Sequence, residues 1–168
     1  GTVYVLTGVD ALPGPAVRLR FSTPDGVRRV RVSARPRMAR LHLDPGSADH
    51  RAEEEAAPDG VRVFAARVAR ELRGATLQNI RRLYGDRVVG LEFRVEPFAR
   101  SLVFECSGQH PNLFLVDDHG VIRAAMAPSQ SMRRDLQPGR PYQKPLKHEH
   151  DAAEAVRFIQ GKGSDAVA

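Results

Sequence analysis

Cysteine, lysine and long apolar runs are all scarce in this chain of 168 residues. Cys106 is the single cysteine, so no disulfide can form within the chain, and a reducing compartment such as the cytoplasm is expected. No apolar run approaches the roughly 20 residues that a membrane-spanning helix needs, because Asp10, Arg18 and Arg20 interrupt the first hydrophobic stretch. The length fits one domain, so we expect a single core and no membrane partner.

Motifs of the common enzyme classes are also missing. The sequence contains no Gly-rich phosphate loop, HExxH, CxxC or GxSxG, and its scattered carboxylates indicate no general acid and base pair. His148 and His150 flank Glu149, an arrangement that can ligate a metal, but two histidines in a linker-like segment are more typical of a solvated surface. We therefore expect no enzymatic activity, no cofactor and no metal site.

Positive charge is the feature that is present in excess. The chain carries 26 basic and 20 acidic residues, a net charge of +6, and 23 of the basic residues are Arg. A cationic field attracts phosphates, and the planar guanidinium binds phosphate oxygens in pairs. Nucleic acid is therefore the first candidate partner, although the codon usage of a GC-rich genome would also explain the excess of Arg.

Most of the chain has the period-two pattern of β-strands. In residues 17–21, Arg18 and Arg20 alternate with apolar residues, which is typical of a strand with one face on the core and one in water. Tyr84 and Gly85, followed by Asp86, separate two such segments with the chemistry of a tight hairpin. The expected strands are residues 3–6, 17–21, 27–33, 38–43, 76–83, 87–95, 101–106, 113–116 and 121–125.

One long segment has the period of an amphipathic helix instead. Its apolar residues recur at helical spacing over residues 61–72, with Asp59 as the expected N-cap and Gly74 as the expected stop. The polar residues 44–60 before it are expected to form an exposed loop, and a short helix is expected over 152–160. Together these patterns predict an α+β domain: an antiparallel β-sandwich-like body with one central amphipathic helix.

Five short phrases occur in a fixed order along the chain. They are residues 35–43, the helix from Phe64 to Gly74 and Ala75, residues 85–89, residues 105–112 with Glu105, Gly108 and Asn112, and residues 138–145 with Gly139, Tyr142 and Pro145. In this order they resemble the NFACT-N domain, the amino-terminal module of ribosome quality-control factors once described as fibronectin-binding proteins. The resemblance spans residues 1–145, with the usual start of the domain incomplete, and leaves 146–168 as a linker and the start of a truncated helical segment.

The resemblance implies both a fold and a function. The implied fold is like the amino-terminal β-sandwich of formamidopyrimidine-type DNA glycosylases. The implied function is RNA binding without hydrolase activity: the domain engages rRNA of the large ribosomal subunit and tRNA during rescue of stalled nascent chains, together with further domains of the full-length protein. The Asp-Arg pair that the family associates with tRNA falls on Asp86 and Arg87. The same phrases add Arg40, His110 and Asn112 as RNA-binding candidates.

Other interpretations stay open. Asp86 is also a common turn residue with Arg87 as its solvated neighbour, or Arg87 is buried and pairs with a core carboxylate such as Glu105. The implied fold leaves a base-excision enzyme of the glycosylase type as an alternative function. The older family name leaves a fibronectin-binding surface adhesin as another.

Overall fold

An antiparallel sheet of nine strands forms the body of the domain in the computed structural model, which describes residues 1–45, 50–85, 87–106, 110–130 and 133–145. The strands are β1 (Val5–Leu12), β2 (Ala16–Thr23), β3 (Gly26–Ser33), β4 (Arg40–Leu43), β5 (Thr76–Leu83), β6 (Val88–Val95), β7 (Phe98–Glu105), β8 (Asn112–Asp117) and β9 (Ile122–Ala125). Their order across the sheet is β4-β3-β2-β1-β5-β6-β7-β8-β9. Each strand expected from the sequence overlaps one of them.

Smaller elements connect and extend this sheet. Two helices, α1 (His50–Glu55) and α2 (Asp59–Leu72), lie between β4 and β5 in the chain. A short hairpin of β10 (Ser129–Gln130) and β11 (Asp135–Leu136) follows β9. Residues 146–168, with the helix expected over 152–160, lie outside the described residues.

The sheet folds back on itself between β1 and β5. These strands meet antiparallel at the pair Val5 and Thr76, so they run in opposite directions from that joint. Phe21 on β2 and Phe93 on β6 nevertheless stack, with ring centroids 6.2 Å apart. In a flat sheet three strand spacings would separate β2 from β6 by about 14 Å. The two halves therefore face each other, which confirms the predicted α+β fold with a sandwich-like antiparallel body.

Helix α2 packs against both halves of this body. Its buried residues follow the predicted helical spacing: Val61, Phe64, Ala65, Val68 and Leu72. They lie against β1 and β2 on one side and β9 on the other. Gly74 ends the helix with φ of 85°, as predicted, but Asp59 is its first residue, and Pro58 takes the N-cap position without a side-chain bond. In the described residues neither helix has the length and apolar character to cross a membrane.

Strand β8 is buried on both faces. Leu113 and Leu115 pack in the main core with α2, whereas Phe114 and Val116 pack in a second cluster on the outer face of the sheet. Residues 133–145 contribute to that second cluster. Burial on both sides explains why this strand is an unbroken apolar run rather than an alternating one.

Arg18 is wholly buried, which corrects the expectation that it faces water. Its Nε and Nη2 donate to the carboxylates of Asp44 (2.9 Å) and Glu53 (2.8 Å), and its Nη1 donates to Nδ1 of His50 (3.0 Å). Glu53 and His50 belong to α1, so residues 50–55 form a helix where an exposed loop was expected. The buried guanidinium requires these partners, because an unpaired charge inside a protein is very costly.

Candidate nucleic-acid interface

The connection between β5 and β6, which carries the predicted Asp-Arg pair, is a loop of four residues. The ladder ends at the pair Leu83 and Val88, so the loop is longer than the tight hairpin that the sequence predicted. Tyr84 and Gly85 both adopt the left-handed conformation, with φ of 51° and 75°. Asp86 lies outside the described residues.

Arg87 lies at the foot of this loop and is half-buried. Its carbonyl oxygen accepts the backbone N–H of Cys106 at 3.0 Å and the thiol of the same residue at 3.3 Å. Burial raises the pKa of the Cys106 thiol, so the thiol keeps its proton and remains a donor at neutral pH. The backbone of Arg87 is thus tied to the end of β7.

A buried cluster around Glu105 lies beside Arg87. Both oxygens of Glu105 accept bonds from Arg134, at 2.8 and 3.0 Å, and one of them also accepts the hydroxyl of Tyr142 at 2.6 Å. Burial raises the pKa of Glu105, although Tyr142 and Arg134 favour its charged form. Burial and the neighbouring carboxylate raise the pKa of Tyr142 as well, so its hydroxyl donates. The cluster fastens residues 133–145 to the sheet.

His110 and Asn112 lie at the same end of the sheet as Arg87. Asn112 pairs with Glu105 across β7 and β8, and His110 is exposed two residues before it. Asn112 is only 6 % exposed: its Nδ2 donates to the carbonyl of Ala127 at 2.6 Å, and its Oδ1 accepts two backbone N–H groups. The buried amide of Asn112 thus holds β8 to the chain after β9, and a contact of this residue with RNA stays a prediction.

Arg40 lies at the opposite end of the sheet. It pairs with Ser33, and the ladder continues through β2 to Leu12, the last residue of β1. Strands β1 and β5 leave their joint in opposite directions and each has eight residues, or about 23 Å at the usual rise per residue. The structure thus separates Arg40, which is exposed, from Arg87.

Three side chains near the β5–β6 loop were not identified from the sequence. Tyr84 is 47 % exposed, and Nζ of Lys144 lies 5.8 Å from the centroid of its ring. Arg81 is exposed on β5, with its Nε 3.2 Å from Oε1 of Glu92. The signal that would have found them is a basic strand end followed by an aromatic residue and a glycine turn, because aromatic and cationic side chains together are typical of single-stranded nucleic-acid sites.

We name the end of the sheet that carries residues 81–88 and 133–145 the loop end. Its described cationic side chains are Arg81, Arg82, Arg87, Arg133, Arg134, Arg140 and Lys144. Asp135 is the acidic side chain described within it, with Glu92 and Glu105 beside it and Asp86 in the loop itself. The loop end is therefore basic, which suits a phosphate-rich ligand.

No cluster of three or more metal-ligating side chains occurs within the described part of the chain. His148 and His150, which flank Glu149 in the sequence, lie outside that part.

Fold and surface together define an α+β domain that is built on a folded antiparallel sheet and has a basic end. The family model for the NFACT N-terminal and middle domains matches residues 15–159. The chain belongs to the NFACT family, which confirms the resemblance found in the five sequence phrases.

Solved structures share the fold at low sequence identity. The N-terminal domain of the fibronectin-binding protein PavA from Streptococcus pneumoniae is 23 % identical with a TM-score of 0.66, and the match covers 92 % of this chain and 63 % of that one. The N-terminal part of the fibronectin/fibrinogen-binding protein from Streptococcus suis is 21 % identical with a TM-score of 0.66, covering 84 % and 56 %. The fibrinogen binding protein from Staphylococcus aureus is 19 % identical with a TM-score of 0.71, covering 97 % and 59 %.

The matches thus extend over 56 % to 63 % of these solved chains. Comparison with curated protein sequences gave no match.

Proposed function

We propose that this domain is the RNA-binding module of a cytoplasmic ribosome quality-control factor. In this role it engages rRNA of the large ribosomal subunit and tRNA during the rescue of stalled nascent chains, together with further domains of a longer protein. It acts by binding rather than by catalysis. Membership in the NFACT family supports a role in translation. The observation that most supports RNA as the partner is the basic loop end with its exposed aromatic ring.

The chemistry of the loop end matches RNA in three ways. The guanidinium of Arg87 suits phosphate oxygens, to which it donates charge-assisted bonds. The carboxylate of Asp86 suits the 2′-hydroxyl that distinguishes RNA from DNA. The exposed ring of Tyr84 offers a stacking surface for a base, with the cationic Lys144 beside it for the phosphate backbone. We assign the tRNA to this end.

Arg40 belongs to a second basic surface. Arg35 and Arg37 are exposed on the loop before β4, and Arg40 is exposed at the start of that strand. Because this surface lies at the other end of the sheet, one tRNA contact at the loop end leaves it accessible. We assign it to rRNA.

Fibronectin binding is an alternative to RNA binding as the function of this domain. Two of the solved structures with this fold are described as fibronectin-binding or fibronectin/fibrinogen-binding proteins. The two functions separate in one experiment, in which tRNA and fibronectin are offered to the same protein preparation in the same buffer.

The test of the RNA function is the double variant Asp86→Ala with Arg87→Ala. We expect its affinity for tRNA to fall at least about tenfold, because one charge-assisted hydrogen bond contributes roughly 1.5–3 kcal/mol. Fluorescence anisotropy with labelled tRNA measures the affinity. The matched control is Arg94→Ala, which removes an exposed arginine of the same hairpin at the far end of β6 and should leave tRNA binding unchanged.

Salt dependence and thermal melting complete this test. The logarithm of the wild-type affinity should fall linearly with the logarithm of salt concentration, and the double variant should lose about 0.7–0.9 of that slope for one phosphate contact. The melting temperature should stay near that of the wild type, because the bond between Arg87 and Cys106 is made by the backbone carbonyl of Arg87, which the substitution keeps. Full tRNA affinity in the double variant, or binding of fibronectin but not of tRNA by the wild type, contradicts the proposed function.

A further inference from the structure

A cavity of about 340 Å³ opens on the outer face of the sheet beside the β5–β6 loop. Its floor consists of two adjacent rows of cross-strand neighbours, Arg81, Gly90 and Val103 in the first and Glu92, Ser101 and Val116 in the second. Side chains of directly opposite residues lie on the same face of a sheet. Gly90 has no side chain, and the side chain of Leu83 packs over it: Cδ1 of Leu83 would lie 3.0 Å from a Cβ at this position, and Leu83 also lines the cavity.

Two tyrosines also line the cavity, and they differ in exposure and in their contacts. Tyr142 is fixed, since its hydroxyl donates to Glu105 at 2.6 Å and its ring centroid lies 5.5 Å from that of Phe114. Tyr84 is exposed, and its φ of 51° is unfavourable for a bulky residue. Strained conformations of this kind are concentrated at ligand-binding sites. The cavity therefore has one rigid and one accessible aromatic side chain, an arrangement that suits a planar ligand.

The polar groups of the cavity combine acceptors with donors. Arg81 and Glu92 lie side by side, with Nε 3.2 Å from Oε1, and both side chains are partly exposed. Ser101 adds a hydroxyl that can donate or accept. The Watson–Crick edge of guanine has the complementary pattern, because its two N–H groups suit a carboxylate and its O6 suits a guanidinium. Adenine presents an unprotonated ring nitrogen where guanine has an N–H, and a carboxylate repels it.

We propose that this cavity holds one unpaired guanine base of the bound RNA. The base lies against Tyr84 and Tyr142, Glu92 accepts its N–H groups, and Arg81 donates to its O6. Lys144 is placed beside Tyr84 to meet a neighbouring phosphate. The assignment rests on the proposed function, because it requires RNA at the loop end.

The test compares two short oligouridines, one with a single central guanosine and one with a single central adenosine. We expect the wild-type chain to bind the guanosine form about tenfold more tightly, the discrimination typical of one bidentate base contact. Glu92→Gln should abolish this preference and retain affinity for plain oligouridine. The matched control is Glu96→Gln, which changes another exposed glutamate that pairs with an arginine, and it should retain the preference.

A second variant tests the cavity without changing the carboxylate of Glu92. Ser101→Leu places an apolar side chain in the floor of the cavity and should also abolish the guanosine preference, with folding checked by thermal melting. Equal affinity of the wild type for the two oligonucleotides overturns the pocket, and so does a preference that survives in both Glu92→Gln and folded Ser101→Leu. Either result leaves tRNA binding through Arg87 intact, whereas failure of the wild type to bind tRNA or any oligonucleotide overturns the proposed function itself.

Discussion

Tyr84 and Arg37 hold the most constrained backbone positions among the described non-glycine residues, with φ of 51° and 63°. For such residues a left-handed conformation costs on the order of 1–3 kcal/mol. Tyr84 lies in the loop that we assign to tRNA, and Arg37 lies in the loop before β4 at the other end of the sheet. The two residues therefore have the same strained backbone conformation, but we assign tRNA to the loop of Tyr84 and rRNA to the surface of Arg37.

This difference gives a prediction at the residue scale. Asn adopts the left-handed region more readily than other side chains, so Tyr84→Asn should raise the melting temperature by about 2–4 °C for each kcal/mol of strain removed. The same variant should weaken tRNA binding, because the stacking ring is lost. Differential scanning fluorimetry and anisotropy measure the two effects.

Arg37→Asn is the matched control for this variant. It should raise the melting temperature in the same way and leave tRNA affinity nearly unchanged. Undiminished tRNA affinity in Tyr84→Asn would show that the strained ring serves no contact with RNA.

Single residues also show how far a sequence match can predict a site. The family phrase pointed to both His110 and Asn112, but a sequence match does not predict whether the side chain at a matched position is buried or exposed. His110 is exposed, whereas the amide of Asn112 is buried and bonded to backbone groups. Burial depends on what packs over the residue, here the chain at Ala127, fifteen positions away, and no local pattern carries that information.

At the scale of elements, α1 and the first half of the sheet depend on one buried arginine. Arg18 on β2 bonds to Asp44 after β4 and to Glu53 on α1. Arg31 on β3 also lies 3.3 Å from Asp44 and 3.7 Å from Glu53. The helix has no buried residues of its own, so these ion pairs, rather than apolar packing, hold it to the sheet.

Arg18→Ala should therefore destabilise the domain strongly. The change removes a wholly buried cation that lies 2.9 Å from Asp44 and 2.8 Å from Glu53, and breaking a buried ion pair costs roughly 3–5 kcal/mol. Urea denaturation measures the loss in the free energy of unfolding. The matched control is Arg20→Ala, which removes a partly exposed arginine two positions along β2 that pairs with Asp10, and its cost should be about 1 kcal/mol or less. Equal effects of the two variants would refute the anchoring role of Arg18.

Glu71 ties the end of α2 to the second half of the sheet. Its carboxylate accepts bonds from Arg67 on the same helix at 2.6 Å and from Arg123 on β9. Burial alone would raise the pKa of Glu71, but these hydrogen bonds outweigh it and hold the pKa below its usual value. A carboxylate with a lowered folded-state pKa stabilises the fold above its unfolded-state pKa, and this contribution is lost as the pH falls.

The expected consequence is a loss of stability in acid. As the pH falls through about 4.3 towards the lower folded-state value, the free energy of unfolding should decrease, and Glu71→Gln should flatten this part of the profile. Urea denaturation over a pH series measures it. Glu55→Gln, an exposed glutamate on α1, is the control and should leave the profile unchanged. A Glu71→Gln profile parallel to that of the wild type would contradict the assignment.

The elements themselves were largely predictable, because their signals are local. Period-two alternation located the strands, and helical spacing located α2 from Val61 to Leu72. Helix α1 was missed because its residues are polar all round, so the segment reads like a loop. Arg18 and Arg20 look identical in the pattern, and only the carboxylates brought by α1 and by Asp44 make one of them a buried residue.

At the scale of the whole molecule, the folded sheet separates two basic surfaces. The loop end carries Arg87 and Tyr84, and the opposite end carries Arg40 with the loop of residues 35–39. Net charge alone would attract RNA to both. The central claim is more specific: tRNA binds the loop end.

Mapping amide chemical shifts during a tRNA titration tests this claim most directly. The largest changes should fall on residues 81–88 and on residues 133–145, and they should fade as salt is raised. Residues 35–43 should change little at the same tRNA concentration. Changes centred on residues 35–43, or spread evenly over both ends of the sheet, would contradict the account.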